Sequence, residues 1–159
     1  MIRKAFGIAL AAVAAALPAQ AQTPAKDPVE ARLEVHKVVR APDGRESVTA
    51  ADAVKPGDVL EYLVTYRNHG AQAVRDFVAT LPIPPATEFI AGTERPVGAN
   101  GSVDSREFSP VPLKRKVHRD GRDMEEAVPF REYRALRWRT PELKPGQALT
   151  YSARVRVLE

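Results

Sequence analysis

Apolar and polar residues alternate with a period of two along most of this chain. Val29, Ala31, Leu33 and Val35 alternate with Glu30, Arg32 and Glu34, the spacing of a strand with one face turned inward. The alternation slips at His36-Lys37-Val38-Val39, where a bulge or a switch of sheet is expected. Ser47 to Ala50 reads as a short strand. The clearest strand sets Leu60, Tyr62, Val64 and Tyr66 on one face, with Glu61, Thr65 and Arg67 on the other. Val74 to Leu81, Thr87 to Ala91 and Tyr133 to Arg139 read as further strands, the last with Leu136 and Trp138 opposite Arg137 and Arg139. The final strand turns Leu149, Tyr151, Ala153, Val155 and Val157 inward, and Arg154 and Arg156 outward. No stretch carries an apolar stripe at helical spacing, and a helical turn is expected only near Pro129 to Glu132.

Turn residues punctuate these strands. Pro42-Asp43-Gly44, Asn68-His69-Gly70 and Pro82-Ile83-Pro84-Pro85 end them. Lys55-Pro56-Gly57-Asp58 and Lys144-Pro145-Gly146-Gln147 have proline and glycine at the two central positions of a type II turn. Each is followed by Leu-x-Tyr, so two similar turns feed two similar buried strands. Too little else is shared for a domain duplication. Glu94 to Gly101 reads as loop. Lys114 to Ala127 reads as a hairpin about Asp120-Gly121. That register sets Val117 opposite Met124, Lys116 opposite Glu125 and Arg115 opposite Glu126, so the charges match across the strands. Arg119 opposite Arg122 is the one unfavourable pair. Short strands spaced by Pro/Gly turns predict an all-β antiparallel sandwich of about seven to nine strands. Its core is expected to hold Tyr62, Val64, Leu81, Leu136, Trp138, Tyr151 and Val155.

The first residues follow a different pattern. Arg3 and Lys4 precede an apolar run from Ala5 to Leu17, then Pro18 and Ala19-Gln20-Ala21. This is the pattern of a secretory signal peptide over residues 1–21, with cleavage expected after Ala21. The run is shorter than the ~20 residues a spanning helix needs, which disfavours the alternative of an uncleaved anchor. Gln22 to Pro28 reads as a flexible lead-in, and 29–159 as a single domain. The expected location is the periplasm or the exterior, with no membrane span after cleavage.

The whole chain has 159 residues, 24 Lys+Arg against 20 Asp+Glu, and no Cys. Losing Arg3 and Lys4 leaves a net charge of only +2, too small and dispersed to suggest nucleic acid. The absence of Cys excludes thiol catalysis, thiolate zinc sites, disulfides and a lipid anchor on cysteine. His36, His69 and His118 stand at no metal-ligand spacing. Gly101-Ser102-Val103-Asp104 is no nucleophile elbow, and Asp120-Gly121-Arg122-Asp123 lacks the ligands of a calcium loop. Glu125 and Glu126 are adjacent on a strand and point to opposite faces. No catalytic residue, metal site or cofactor is therefore expected.

Two basic features remain. Lys114, Arg115 and Lys116 open the hairpin; they could meet an acidic envelope polymer, or form a solvated arm neutralised by Glu125 and Glu126. Arg137, Arg139, Arg154 and Arg156 would share one sheet face if the last two strands were neighbours. Such a face would dock an acidic envelope protein or polymer, or would serve solubility and guard a sheet edge.

The segment Pro56-Gly57-Asp58-x-Leu60-x-Tyr62-x-Val64-x-Tyr66-x-Asn68-x-Gly70 resembles the opening of the DUF11 domain, an immunoglobulin-like β-sandwich of bacterial surface and exported proteins. Phe77 to Pro82 resembles the family's next strand and its Leu-Pro exit. Trp138 with Leu143-x-Pro145-Gly146 resembles the closing element. The resemblance spans residues 52–158, with distinct blocks at 56–82 and 138–158. It departs at Ala79, where the family has Asp, and in the hairpin at 114–127. It implies an immunoglobulin-like sandwich and brings no catalytic residues. The expected function is thus a non-enzymatic envelope module with a structural or interaction role. The alternative is an assembly or chaperone-like factor that offers a sheet edge to a client strand. An unknown oligomeric state and an unknown partner go with both.

Overall fold

The computed structural model describes residues 28–159; the signal peptide expected over 1–21, and the lead-in apart from Pro28, lie outside them. Eleven strands follow in order: β1 (Val29–Arg40), β2 (Glu46–Ala50), β3 (Val59–Asn68), β4 (Val74–Pro82), β5 (Thr87–Phe89), β6 (Asn100–Ser102), β7 (Ser109–Pro110), β8 (Lys114–Arg119), β9 (Arg122–Ala127), β10 (Ala135–Leu143) and β11 (Ala148–Val157). A 3-10 turn at Phe130–Glu132 is the only helical piece among the described residues, where proline and the loss of alternation put it. The fold is the expected all-β antiparallel sandwich. One sheet runs β2-β1-β3-β11-β5, the other β4-β10-β6-β7, and β8-β9 stands apart as a hairpin.

The strand count exceeds expectation because β6 and β7 are three- and two-residue segments in a Gly/Pro-rich region, too short to show alternation. Gly101 lies in β6 for a steric reason. A Cβ there would come within 2.7 Å of the Tyr133 ring, which packs against Phe89 and Phe130 and is wholly buried. The Leu113 N–H donates to the Tyr133 hydroxyl at 2.6 Å.

The chain crosses between the two sheets four times, and two of these crossings, from β3 to β4 and from β10 to β11, are held together. Asn68, fully buried at the end of β3, holds both crossings. Its Nδ2 donates to the carbonyls of Gln72 and Leu143 at 2.8 and 3.0 Å, and its Oδ1 accepts the Gly70 N–H at 2.9 Å. The two Lys-Pro-Gly turns are built alike. Gly57 and Gly146 have φ of 87° and 72°. In each turn the fourth side chain, Asp58 or Gln147, accepts the N–H of the opening lysine, at 2.8 and 2.9 Å.

Three expectations need correction. β1 has no bulge at His36 to Val39: it pairs with β3 without slippage from Val29↔Asn68 to Val38↔Val59. The alternation fails there because Lys37 takes an inward position at the rim, with its ammonium 2.6 Å from Asp58. Tyr62 is half-buried rather than in the core, because β4, the end strand of the second sheet, packs on β3 and β11 and the side of the sheet toward β1 is only partly covered. Leu33 is 49% exposed for the same reason. Val64, Leu81, Leu136, Trp138, Tyr151 and Val155 are buried as expected.

The Lys37 ammonium and the Lys55 N–H hold the Asp58 carboxyl below its ordinary value of 3.8. A depressed carboxylate contributes stability above its unfolded pKa and loses it as pH falls through the folded value. Asp58→Asn should therefore lower the melting temperature at neutral pH and narrow its difference from the parent below about pH 4. A difference unchanged down to pH 2 would contradict this.

Candidate interaction surfaces

The four arginines do not form one face. β10 and β11 belong to different sheets, and the outer faces of a sandwich point in opposite directions. Arg137 and Arg139 therefore lie on one side of the molecule, Arg154 and Arg156 on the other. The shared face required the last two strands to be neighbours, but the chain crosses between sheets at the Lys144–Gln147 turn. Their chemistry is also largely spent. Arg154 donates to Glu46 at 2.7 Å and to Glu61 at 3.3 Å, and these carboxylates raise its pKa. Arg156 lies 3.8 Å from Glu88. The Arg137 guanidinium sits 3.5 Å over the centre of the Phe108 ring. Arg139 alone of the four has no such partner among the described residues.

The hairpin has the register its charges predicted, from Lys114↔Ala127 through Arg115↔Glu126, Lys116↔Glu125 and Val117↔Met124 to Arg119↔Arg122. Arg115 is held between Glu126 at 2.9 Å and Glu132 at 2.8 Å. Lys114 reaches Glu125 at 3.4 Å and Arg119 reaches Glu126 at 3.5 Å. Only Lys116 of the opening triplet lacks a carboxylate partner among the described residues. A cleft of about 220 Å³ at the base of the arm is lined by Leu113, Arg115, Val128 and Glu132, among others. Small-molecule sites are commonly ~300–1,000 Å³.

The histidines are dispersed, each beside its own carboxylate: His69 and Glu30 at 2.7 Å, His118 and Asp123 at 2.8 Å, His36 and Glu34 at 3.9 Å. No group of three or more His, Asp or Glu among the described residues is placed to hold a metal ion. Ser102 and Asp104 build a turn, Oγ donating to Oδ1 at 2.9 Å, while Oδ1 also accepts the N–H groups of Arg106 and Glu107. No helix among the described residues is long and apolar enough to cross a membrane.

No protein-family model, curated protein or solved structure matches the chain.

The sheet edges differ from one another in a way that alternation could not reveal. The outer edge of β4 is closed at Thr80, where the Tyr66 hydroxyl accepts the N–H at 3.1 Å and donates to the carbonyl at 2.8 Å. Asp76 on the same edge has a left-handed φ of 50°, which breaks the regular edge. β7 ends in Pro110, which has no N–H to offer, and β5 has three residues. β2 has none of these guards. It carries five exposed residues, Glu-Ser-Val-Thr-Ala, without proline or lysine. The sequence marks β2 as a strand; only the sheet order makes it an edge.

Proposed function

We propose that this protein is an exported, non-enzymatic β-sandwich module with a structural or interaction role in the bacterial cell envelope. The observation that carries the reading is where the polar residues are used. Asn68, Asp58, Gln147, Asp104 and Ser102 hold turns and sheet crossings, and Arg154 and Arg115 are clamped between carboxylates. The residues that resemble the DUF11 pattern serve the same end: the Pro-Gly turns, the inward alternation of β3 and Asn68. Ala79, the departure from that pattern, is fully buried opposite Trp138. Membership of that family, and an immunoglobulin-like affiliation, remain part of this proposal. The signal-peptide pattern of residues 1–21 supports export, and an acidic envelope protein or polymer is the proposed partner class.

The test is fractionation followed by intact-mass measurement and in-cell cross-linking. Protein from the envelope compartment should begin at Gln22 and should cross-link to envelope components. A mass that retains residues 1–21, or recovery with the cytoplasm, would overturn the reading. The second reading, an assembly factor that offers a sheet edge to a client strand, is favoured by the unguarded edge of β2.

A further inference from the structure

The direction of the main-chain groups along β2 can be read from its hairpin with β1. The Ala41 N–H donates to the Arg45 carbonyl at 2.8 Å. In the same register, Val39↔Ser47 and Lys37↔Thr49 are then the hydrogen-bonded pairs. Ser47 and Thr49 therefore bond to β1, while Glu46, Val48 and Ala50 turn their N–H and C=O groups away from it. No protein group among the described residues takes them up. The Val48 side chain is 53% exposed. It continues an apolar row, Val59–Val38–Val48, across the outer face of the sheet.

We propose that β2 is a self-association edge and that its occupant is β2 of a second copy, antiparallel about a two-fold axis at Val48. The strand is self-complementary in this register. Val48 faces its own symmetry mate, so the two exposed valines cover each other and the apolar row runs on into the second copy. Ser47 faces Thr49 of the second copy, a hydroxyl pair suited to cross-strand hydrogen bonding. Glu46 faces Ala50 of the second copy, so no like charges are opposed, and Glu46 keeps its bond to Arg154. All three outward residues gain main-chain partners. A two-fold contact of this kind closes on itself and does not propagate into a fibre. Five residues a side bury less than the ~800 Å² per partner of a standard interface, so the dimer is weak, with a dissociation constant on the order of 100 µM.

The natural absence of cysteine makes the register directly testable. The whole chain is expressed and the soluble product purified. Val48→Cys puts two cysteines at a directly opposed, hydrogen-bonded position, with Cα atoms roughly 5.5 Å apart, inside the ~4.4–6.8 Å span of a disulfide. Ala50→Cys lies opposite Glu46, and its symmetry mate is roughly 13 Å along the strand. Mild oxidation should cross-link Val48→Cys at least about tenfold faster than Ala50→Cys. Sedimentation of the parent from ~10 µM to ~1 mM should show a monomer–dimer equilibrium.

Val48→Pro removes an N–H that β1 does not use, a site where an edge strand tolerates proline. It should abolish the association with the melting temperature nearly unchanged. Val48→Lys should do the same by placing a charge on the edge, and it keeps the test decisive if the proline variant does not fold. A parent that stays monomeric at ~1 mM, equal cross-linking of the two cysteine variants, or a dimer untouched by Val48→Lys each overturns the proposal. A client strand seated on this edge would leave Val48→Cys uncross-linked. That outcome overturns self-association but not the envelope role, which stands or falls on the processing and localisation tests.

Discussion

Replacing Asn68 with alanine is expected to cost about 3–5 kcal/mol, more than a hydrogen-bonding side chain usually contributes. The reason is the number and position of the groups it leaves behind. Asn68 is fully buried, and its amide meets the Gln72 carbonyl, the Leu143 carbonyl and the Gly70 N–H. A buried polar group left without a partner costs about 1–3 kcal/mol. Alanine strands three, although Gln72 and Gly70 sit in a turn where water can reach part of them. The substitution also loosens both sheet crossings, although the main-chain bonds of residue 68 to Gln147 and Gly146 on the second one remain. Asn68→Asp should be nearly as harmful, since a carboxylate cannot donate to two carbonyls. Chemical denaturation of parent and variants measures both effects. A loss below about 1 kcal/mol for alanine would mean that the latch contributes little.

Trp138→Ala should likewise cost about 3–5 kcal/mol. The ring is 5% exposed, lies 5.1 Å from the Tyr151 ring, and donates its Nε1–H to the Pro96 carbonyl at 2.7 Å. Truncation leaves a cavity between the sheets and removes the indole's bond to the Glu94 to Gly98 loop, which stays tied to β11 by the paired main-chain bonds of Arg95 and Ser152. Trp138→Phe keeps much of the apolar volume and loses the hydrogen bond, so it should cost about 1–2 kcal/mol. If alanine and phenylalanine variants were equally stable, the indole would not be packed as described.

The features legible in the sequence were those set by neighbours along the chain. The hairpin at 114–127 is the clearest. Asp120-Gly121 specifies a turn with two positive φ values, observed as 53° and 73°, and the turn then dictates every pair up to Lys114↔Ala127. The inward faces of β3 and β11 were equally plain, because a buried strand in a two-layer protein needs apolar residues at every second position. Tyr133 was harder to place in the core. Read as the start of the Tyr133 to Arg139 strand, it would take the outward face of Arg137 and Arg139. The strand instead begins at Ala135, Tyr133 directly follows the 3-10 turn, and its burial depends on Gly101 thirty-two positions earlier.

The sequence by itself determined the fold class, the turns, the hairpin register and most of the core, since each depends on a local period or a turn residue with one preferred conformation. It did not determine which strands are neighbours. Arg137, Arg139, Arg154 and Arg156 alternate outward as expected, yet β10 and β11 lie in different sheets, so the shared face assumed for them does not exist. A period of two says which side of its own sheet a residue takes, but is silent on which sheet that is. The same silence hid the edges. Ser47-Val48-Thr49 reads the same in the middle of a sheet as at its margin, and only the long-range pairing of β1 with β3 leaves β2 outermost. The tertiary structure decided which charges are neutralised, which edge Tyr66 closes and which one stays open, because these depend on contacts between residues far apart in the chain.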